Sequence, residues 1–313
     1  MDTLLPKWGL KEKNDWLATQ AIKRSYHEQV INQIHALDKQ FTIKQYGALS
    51  YDAARYPLYV ITTPDWHKNK PILLITGGVH GYETSGVQGA LAFLKQEALN
   101  YIDAFNIIVA PCISPWGYET INRWNPHAVD PNRSFYPAAN TPGINHEAEE
   151  SRLLMQYLAG IEQPILMHID LHETTNTDNT VFRPALAARD ATPQKTWNIP
   201  DGFYLVGDSN NPQDAFQKTI IDAVQHVTHI APADSENRLI GEPLSQFGVI
   251  NYPTQALGLC SSVTNAQYTS TTEVYPDSPN VTDAICVQAQ VTAIKAGIDY
   301  LINNHVSNST NIQ

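Results

Sequence analysis

Three stretches of this chain are almost continuously apolar: "KPILLIT" at 70–76, "FNIIVAPCI" at 105–113 and "PILMHIDLH" at 164–172. A strand with one wet face alternates apolar and polar residues, whereas a continuous apolar run suits a strand covered on both faces. Strands of that kind need helices above and below them. The sequence supplies helical patterns in alternation, first "ETSGVQGALAFLKQEAL" at 83–99, directly after the first run. A second helix is expected over 145–161, where acidic residues suit the positive end of the helix dipole.

Around this centre, 14–38 carries helical spacing, and "FTIKQYGAL" and "YPLYVITTP" read as an antiparallel pair. "GFYLVGD" and "STTEVYP" add strands. Helices are expected over 211–229 and 281–304, a loop over 173–200, and a frayed tail over 305–313. Strands alternating with helices predict an α/β sandwich around a mixed, mostly parallel sheet. A length of 313 residues suits one large domain or two small ones. With no linker and no internal repeat, one domain over 1–313 is expected.

Bulk properties exclude some functions. A net charge of -11 gives no electrostatic footprint for nucleic acid. No stretch approaches the roughly 18 apolar residues of a membrane span. Three cysteines without CxxC spacing point to a reducing compartment. With no leader pattern at the N-terminus, a cytoplasmic location is expected.

In open α/β sheets the active site lies at the carboxyl ends of the strands. His80, Asn132, Arg133, His172 and Glu273 all fall at or just after such ends. Hydrolytic zinc takes three protein ligands from His and carboxylate side chains and leaves one position open. His80 and Glu83 form a close pair, and His172 could complete the set. Asp170, two residues earlier on the same strand, could accept a ligand histidine's second ring N–H. The plainer alternatives are a solvated pair on a helix's first turn and a hydrogen-bonded core histidine.

The loop 121–137 holds Arg123, Asn125, Asn132 and Arg133, types that bind carboxylates. Composition alone favours Arg133 paired with Asp130. Glu273 could act as a general base beside a metal. Glu173 and Asp178 could hold a second metal or read a basic substrate group, or could simply be solvated acids.

The order H-x-x-E, R-x-N, D-x-N-R, D-L-H and T-x-E, spread over 71–276, resembles the zinc carboxypeptidases of the carboxypeptidase A superfamily. The resemblance implies an α/β/α sandwich with about eight strands and one zinc ion per chain. His80, Glu83 and His172 would be its ligands. Asn132 and Arg133 would grip a substrate carboxylate, with Tyr252 in the place of a mobile substrate tyrosine. Arg123 would stabilise the carbonyl oxyanion and Glu273 would be the general base. The implied substrate is a peptide or an acyl-amino acid with a free carboxylate.

The chain departs from the family's D-L-N-R, carrying Pro131 in place of Leu. The interval from His80 to His172 is nearer the compact branch of aspartoacylase and succinylglutamate desuccinylase. Those enzymes read H-G-N-E where this chain has Tyr82, which tilts the reading towards a peptidase.

Overall fold

The computed structural model describes residues 6–136 and 148–306. In chain order the elements are α1 (Leu10–Ala18), α2 (Asn32–His35), β1 (Thr42–Ala48), β2 (Pro57–Thr62), β3 (Ile72–Gly77) and α3 (Thr84–Gln96). Next come β4 (Asn106–Ala110), α4 (Pro115–Thr120), α5 (Glu149–Ala159), β5 (Ile165–Glu173) and α6 (Arg183–Asp190). The chain ends with β6 (Tyr204–Asp208), α7 (Asp214–Val224), β7 (Arg238–Leu239), β8 (Glu242–Gln246), β9 (Val249–Tyr252), β10 (Tyr268–Val274) and α8 (Asp283–Leu301).

All ten strands join one sheet in the order β1-β2-β4-β3-β5-β10-β6-β9-β8-β7. The central four, β4-β3-β5-β10, run parallel. Antiparallel pairs flank them, β1–β2–β4 on one side and β10–β6 and β8–β9 on the other. The apolar runs therefore occupy the centre, as expected of strands buried on both faces.

Every residue of β3 is buried. Leu73 and Ile75 pack in one cluster with Leu91 of α3, Phe216 of α7 and Ile294 of α8. Ile72 and Leu74 pack on the opposite face with Leu154 and Leu158 of α5. Helices thus cover both faces, giving the α/β sandwich. Each fully buried aliphatic side chain stabilises it by roughly 1.5–3 kcal/mol.

Several elements differ from the sequence expectation. The sheet has ten strands where about eight were expected, and the short strands β7, β8 and β9 occupy 238–252. β8 alternates between exposed and half-buried positions and includes Pro243, features of a strand near a sheet edge.

The helix expected over 14–38 is broken. Between α1 and α2 the amides of Lys23 and Arg24 donate to the Glu119 carbonyl instead of to their own chain. The loop expected over 173–200 contains helical residues Asp178–Phe182 and α6. Ala185, Leu186, Ala187 and Ala188 favour helix, and Pro184 follows closely on the wider helical turn Asp178–Phe182. The helix expected from 145 is present from Glu149. Residues 145–147, and 307–313 of the tail, lie outside the described residues.

Candidate metal centre

Because β3, β5 and β10 are parallel neighbours, their carboxyl ends share one edge of the sheet. His80 lies in the loop after β3, and Glu83 immediately precedes α3. His172 is the second-last residue of β5, and Glu273 lies opposite it in register on β10. The loop is tightly held. Gly78 takes φ +59°, and a Cβ on Gly81 would lie 2.1 Å from the Tyr118 amide nitrogen. Arg24 braces the loop, donating to the Gly81 carbonyl at 3.0 Å and to Thr84 Oγ1 at 2.7 Å.

His80 Nδ1 lies 2.8 Å from Glu83 Oε1, and His172 Nδ1 lies 2.7 Å from Glu83 Oε2. Donor atoms of all three residues fall within 4.8 Å of one another. Exposure of the three is 2%, 1% and 1%, so this is no solvated pair. The outer ring nitrogens are taken up by carboxylates: His80 Nε2 by Asp130 Oδ1 at 3.0 Å, His172 Nε2 by Asp170 Oδ2 at 2.7 Å. A carboxylate on the far nitrogen takes that N–H and turns Nδ1 towards the shared centre, where it can ligate a metal once it carries no proton. Two such imidazoles and a carboxylate are a donor set that suits zinc.

The charges follow from this packing. Burial alone would raise the Glu83 pKa, but the two imidazoles pull it down to about 2. Burial disfavours a proton on His172, yet Asp170 and Glu83 outweigh it and hold its pKa well above the usual value. Asp130 also overcomes burial and sits well below the carboxylate range, because Arg123 and His80 face it.

Asp130 resolves the pairing question. Arg123 Nε donates to its Oδ2 at 3.0 Å, so its partner is Arg123 and not Arg133. Arg123 also reaches Asp178 at 3.4 Å and stacks on Phe182, 4.3 Å from the ring centre. Arg133 is exposed, donates to the Asn132 carbonyl at 2.7 Å, and has no carboxylate partner among the described residues. The Asn132 side-chain oxygen accepts the Cys260 amide at 2.7 Å. Its Nδ2 lies 3.5 Å from His172 Nε2; both are donors, so this contact is no bond and Nδ2 stays available. Pro131, where the family carries Leu, begins a short turn in which a missing N–H costs nothing, and Asp130 Oδ1 accepts the Asn132 amide.

Glu273 Oε2 accepts from Thr174 Oγ1 at 2.8 Å. Thr174 has one proton and gives it to Glu273, so the Tyr204 hydroxyl donates to Thr174 at 2.7 Å. Burial pushes the Glu273 carboxyl up to about 8, although His172 draws it down. Tyr252 ends β9, and burial raises its phenol above the ordinary range. Tyr82 stacks against His80, with ring centres 6.2 Å apart, and donates to Asp178 at 3.2 Å.

A cleft of about 710 Å³ is lined by the eight residues to which the resemblance gives roles: His80, Glu83, Arg123, Asn132, Arg133, His172, Tyr252 and Glu273. Sequence reasoning did not single out Thr174, Tyr204, Arg183 or Trp197 on its wall, although the first, third and fourth lie in the 173–200 segment expected as a loop. No local motif marks them; Thr174 follows β5 and Tyr204 begins β6, strands on either side of β10, so their hydroxyls pair only in the fold. Glu173 and Asp178 do not join a second metal cluster among the described residues. Glu173 accepts the Ser85 amide at the start of α3, and Asp178 accepts the Thr175 amide.

Comparisons with known proteins agree with this picture. The profile of the succinylglutamate desuccinylase/aspartoacylase catalytic domain matches residues 69–198. A search of curated protein sequences returns no match. Among solved structures, a candidate metallopeptidase from Shewanella amazonensis SB2B superposes with TM-score 0.64 at 20% identity, covering 90% of this chain and 99% of that one. A metallo-carboxypeptidase from Burkholderia cenocepacia gives 0.56 at 15%, covering 86% and 68%. Carboxypeptidase A from Helicoverpa armigera gives 0.58 at 14%, covering 95% and 81%. The chain thus has the carboxypeptidase-like hydrolase fold. Its partial family match lies with the aspartoacylase and desuccinylase branch, bearing out the resemblance read from the sequence.

Proposed function

We propose that this protein is a zinc-dependent metallocarboxypeptidase that hydrolyses the amide bond next to a free C-terminal carboxylate. One observation carries the reading. The inward Nδ1 atoms of His80 and His172 meet Glu83, their outer nitrogens are taken up by Asp130 and Asp170, and Glu273, Arg123 and Arg133 line the same cleft.

His80, Glu83 and His172 would hold one zinc ion. Bound there, it would supply a Lewis acid for the scissile carbonyl and acidify the attacking water. Glu273 takes the proton of that water and returns it to the leaving amine. Its raised pKa suits both directions of transfer. Arg123 is fixed by Asp130 and Asp178, so it meets the developing oxyanion without reorganising. Arg133 and the Asn132 amide hold the substrate carboxylate and set its distance from the scissile bond, with Tyr252 closing over it. Three free, buried cysteines fit a reducing compartment, and the reading places the enzyme in the cytoplasm.

A second reading, N-acyl-amino-acid deacylase, uses the same groups. The profile match over 69–198 favours it, whereas Tyr82 in the H-x-x-E motif favours the peptidase. Peptides with free C-termini assayed beside N-acetyl and N-succinyl amino acids separate the two. Cleavage of peptides is expected, and turnover of acyl amino acids alone would replace the peptidase reading. Chelation should abolish activity and zinc restore it. Full activity after complete metal removal would refute both readings.

A further inference from the structure

We propose that Thr76 and His168 are positioning residues for the metal centre: they hold Asp170 so that His172 presents Nδ1 to the ion. The inference rests on the metal reading above. His168, Asp170 and His172 sit at alternate positions of β5, so they share one face of the strand. Thr76 is Asp170's partner in register on β3. The four side chains form one row. His172 Nε2 lies 2.7 Å from Asp170 Oδ2, Asp170 Oδ1 lies 2.6 Å from Thr76 Oγ1, and Thr76 Oγ1 lies 2.9 Å from His168 Nε2. All four residues are at most 1% exposed, so water does not compete for these bonds.

His168, Asp170 and Cys260 could be mistaken for a second metal site, since their donor atoms cluster. The Thr76 hydroxyl lies among them, with Cys260 Sγ 3.7 Å from it. Proton counting then fixes the direction of every bond in the row. A carboxylate only accepts, so Thr76 gives its single proton to Asp170. The Thr76 oxygen then accepts, from His168 Nε2 at 2.9 Å and more weakly from the Cys260 thiol at 3.7 Å. Burial keeps His168 neutral, pushing its pKa down to about 4, so Nδ1 is bare.

His168 Nδ1 is indeed a buried atom without a hydrogen-bond partner. A backbone acceptor of Ser261 faces the ring and favours a proton on it, but no hydrogen bond of normal geometry forms at Nδ1. Reversing the row would put a proton on Asp170 and leave an N–H at this unpartnered atom. An orphaned buried N–H is rarer than an orphaned acceptor. Donors therefore converge on Asp170 from both sides. No Lys or Arg pairs with it among the described residues, so beside the Cys260 thiol its aim depends on Thr76 and, through Thr76, on His168.

Two measurements test this on the full-length chain loaded with zinc. Long-range ¹H–¹⁵N spectra should show His168 protonated at Nε2 and bare at Nδ1. A proton at Nδ1 would overturn the row. Chelator competition should find zinc bound roughly 10–100-fold more weakly by Thr76→Val, which keeps the shape and loses the hydroxyl, with Thr76→Ser near wild type. Wild-type affinity in Thr76→Val refutes the positioning role. If Thr76→Val does not fold, the tautomer in the wild type still decides. Failure of the metal reading looks different: His172→Ala would then bind zinc as the wild type does, or the wild type would bind none.

Discussion

Glu273 lies at the cleft with Thr174 on one oxygen and His172 opposite it in the sheet. As the proposed general base it must ionise, and burial resists its ionisation. Glu273→Gln removes that conflict together with the function. Turnover should fall by at least ~10²-fold, while zinc binding persists because Glu273 is no ligand. Stability should move the other way. In metal-free protein the Glu273→Gln Tm should match wild type near pH 5, where Glu273 is protonated, and exceed it near pH 9, where it is ionised. Differential scanning fluorimetry across that range reads the difference, and parallel curves would remove the buried-carboxyl account. At this scale the sequence made His80, Glu83 and His172 legible because they lie at or shortly after the ends of unmistakable strands. Asp130 was harder to place. Its two partners, His80 and Arg123, come from different loops, and composition pointed to Arg133 instead.

The elements that carry the site were legible wherever hydrophobic pattern decides structure. β3, β4 and β5 declared themselves by continuous apolar runs, and α3 and α8 by their apolar periodicity. α6 and β7–β9 did not, since they are short, partly polar and placed by the cleft wall and the sheet edge. The loop between β3 and α3 shows what such packing imposes. A methyl group on Gly81 would meet the Tyr118 amide at 2.1 Å and the Ser114 carbonyl at 2.2 Å, both rigid backbone. Gly81→Ala must therefore displace either α4 or the loop that carries His80. It should cost roughly 1–3 kcal/mol in chemical denaturation and weaken zinc binding as well. Gly160→Ala is the control: its methyl would meet only the Tyr157 carbonyl, at an ordinary 3.4 Å. Equal effects from the two substitutions would show that the loop has slack.

Across the whole molecule, the buried acids make stability depend on pH in opposite directions. Glu83 is held at about 2 in the folded chain, below an unfolded carboxyl near 4.5. Its contribution is present above 4.5 and is lost as pH falls towards 2. Glu173 and Glu273 are raised to about 7 and about 8 by burial. Their contribution is complete below 4.5 and is lost as pH rises through those values. Metal-free protein should thus have its highest Tm in mildly acidic solution and soften on both sides. Zinc held by His80, Glu83 and His172, as proposed, would change the alkaline side most. Its ligands must shed protons to bind it, and its charge stabilises ionised Glu273 nearby. The rise in Tm on adding zinc should therefore be larger at pH 8 than at pH 5. At a free zinc concentration a thousandfold above Kd it should correspond to about 4 kcal/mol. Thermal scans at both pH values, with zinc and with chelator, measure this directly. An increment that is equal at the two, or larger at pH 5, would mean that the ion binds somewhere other than among His80, Glu83 and His172.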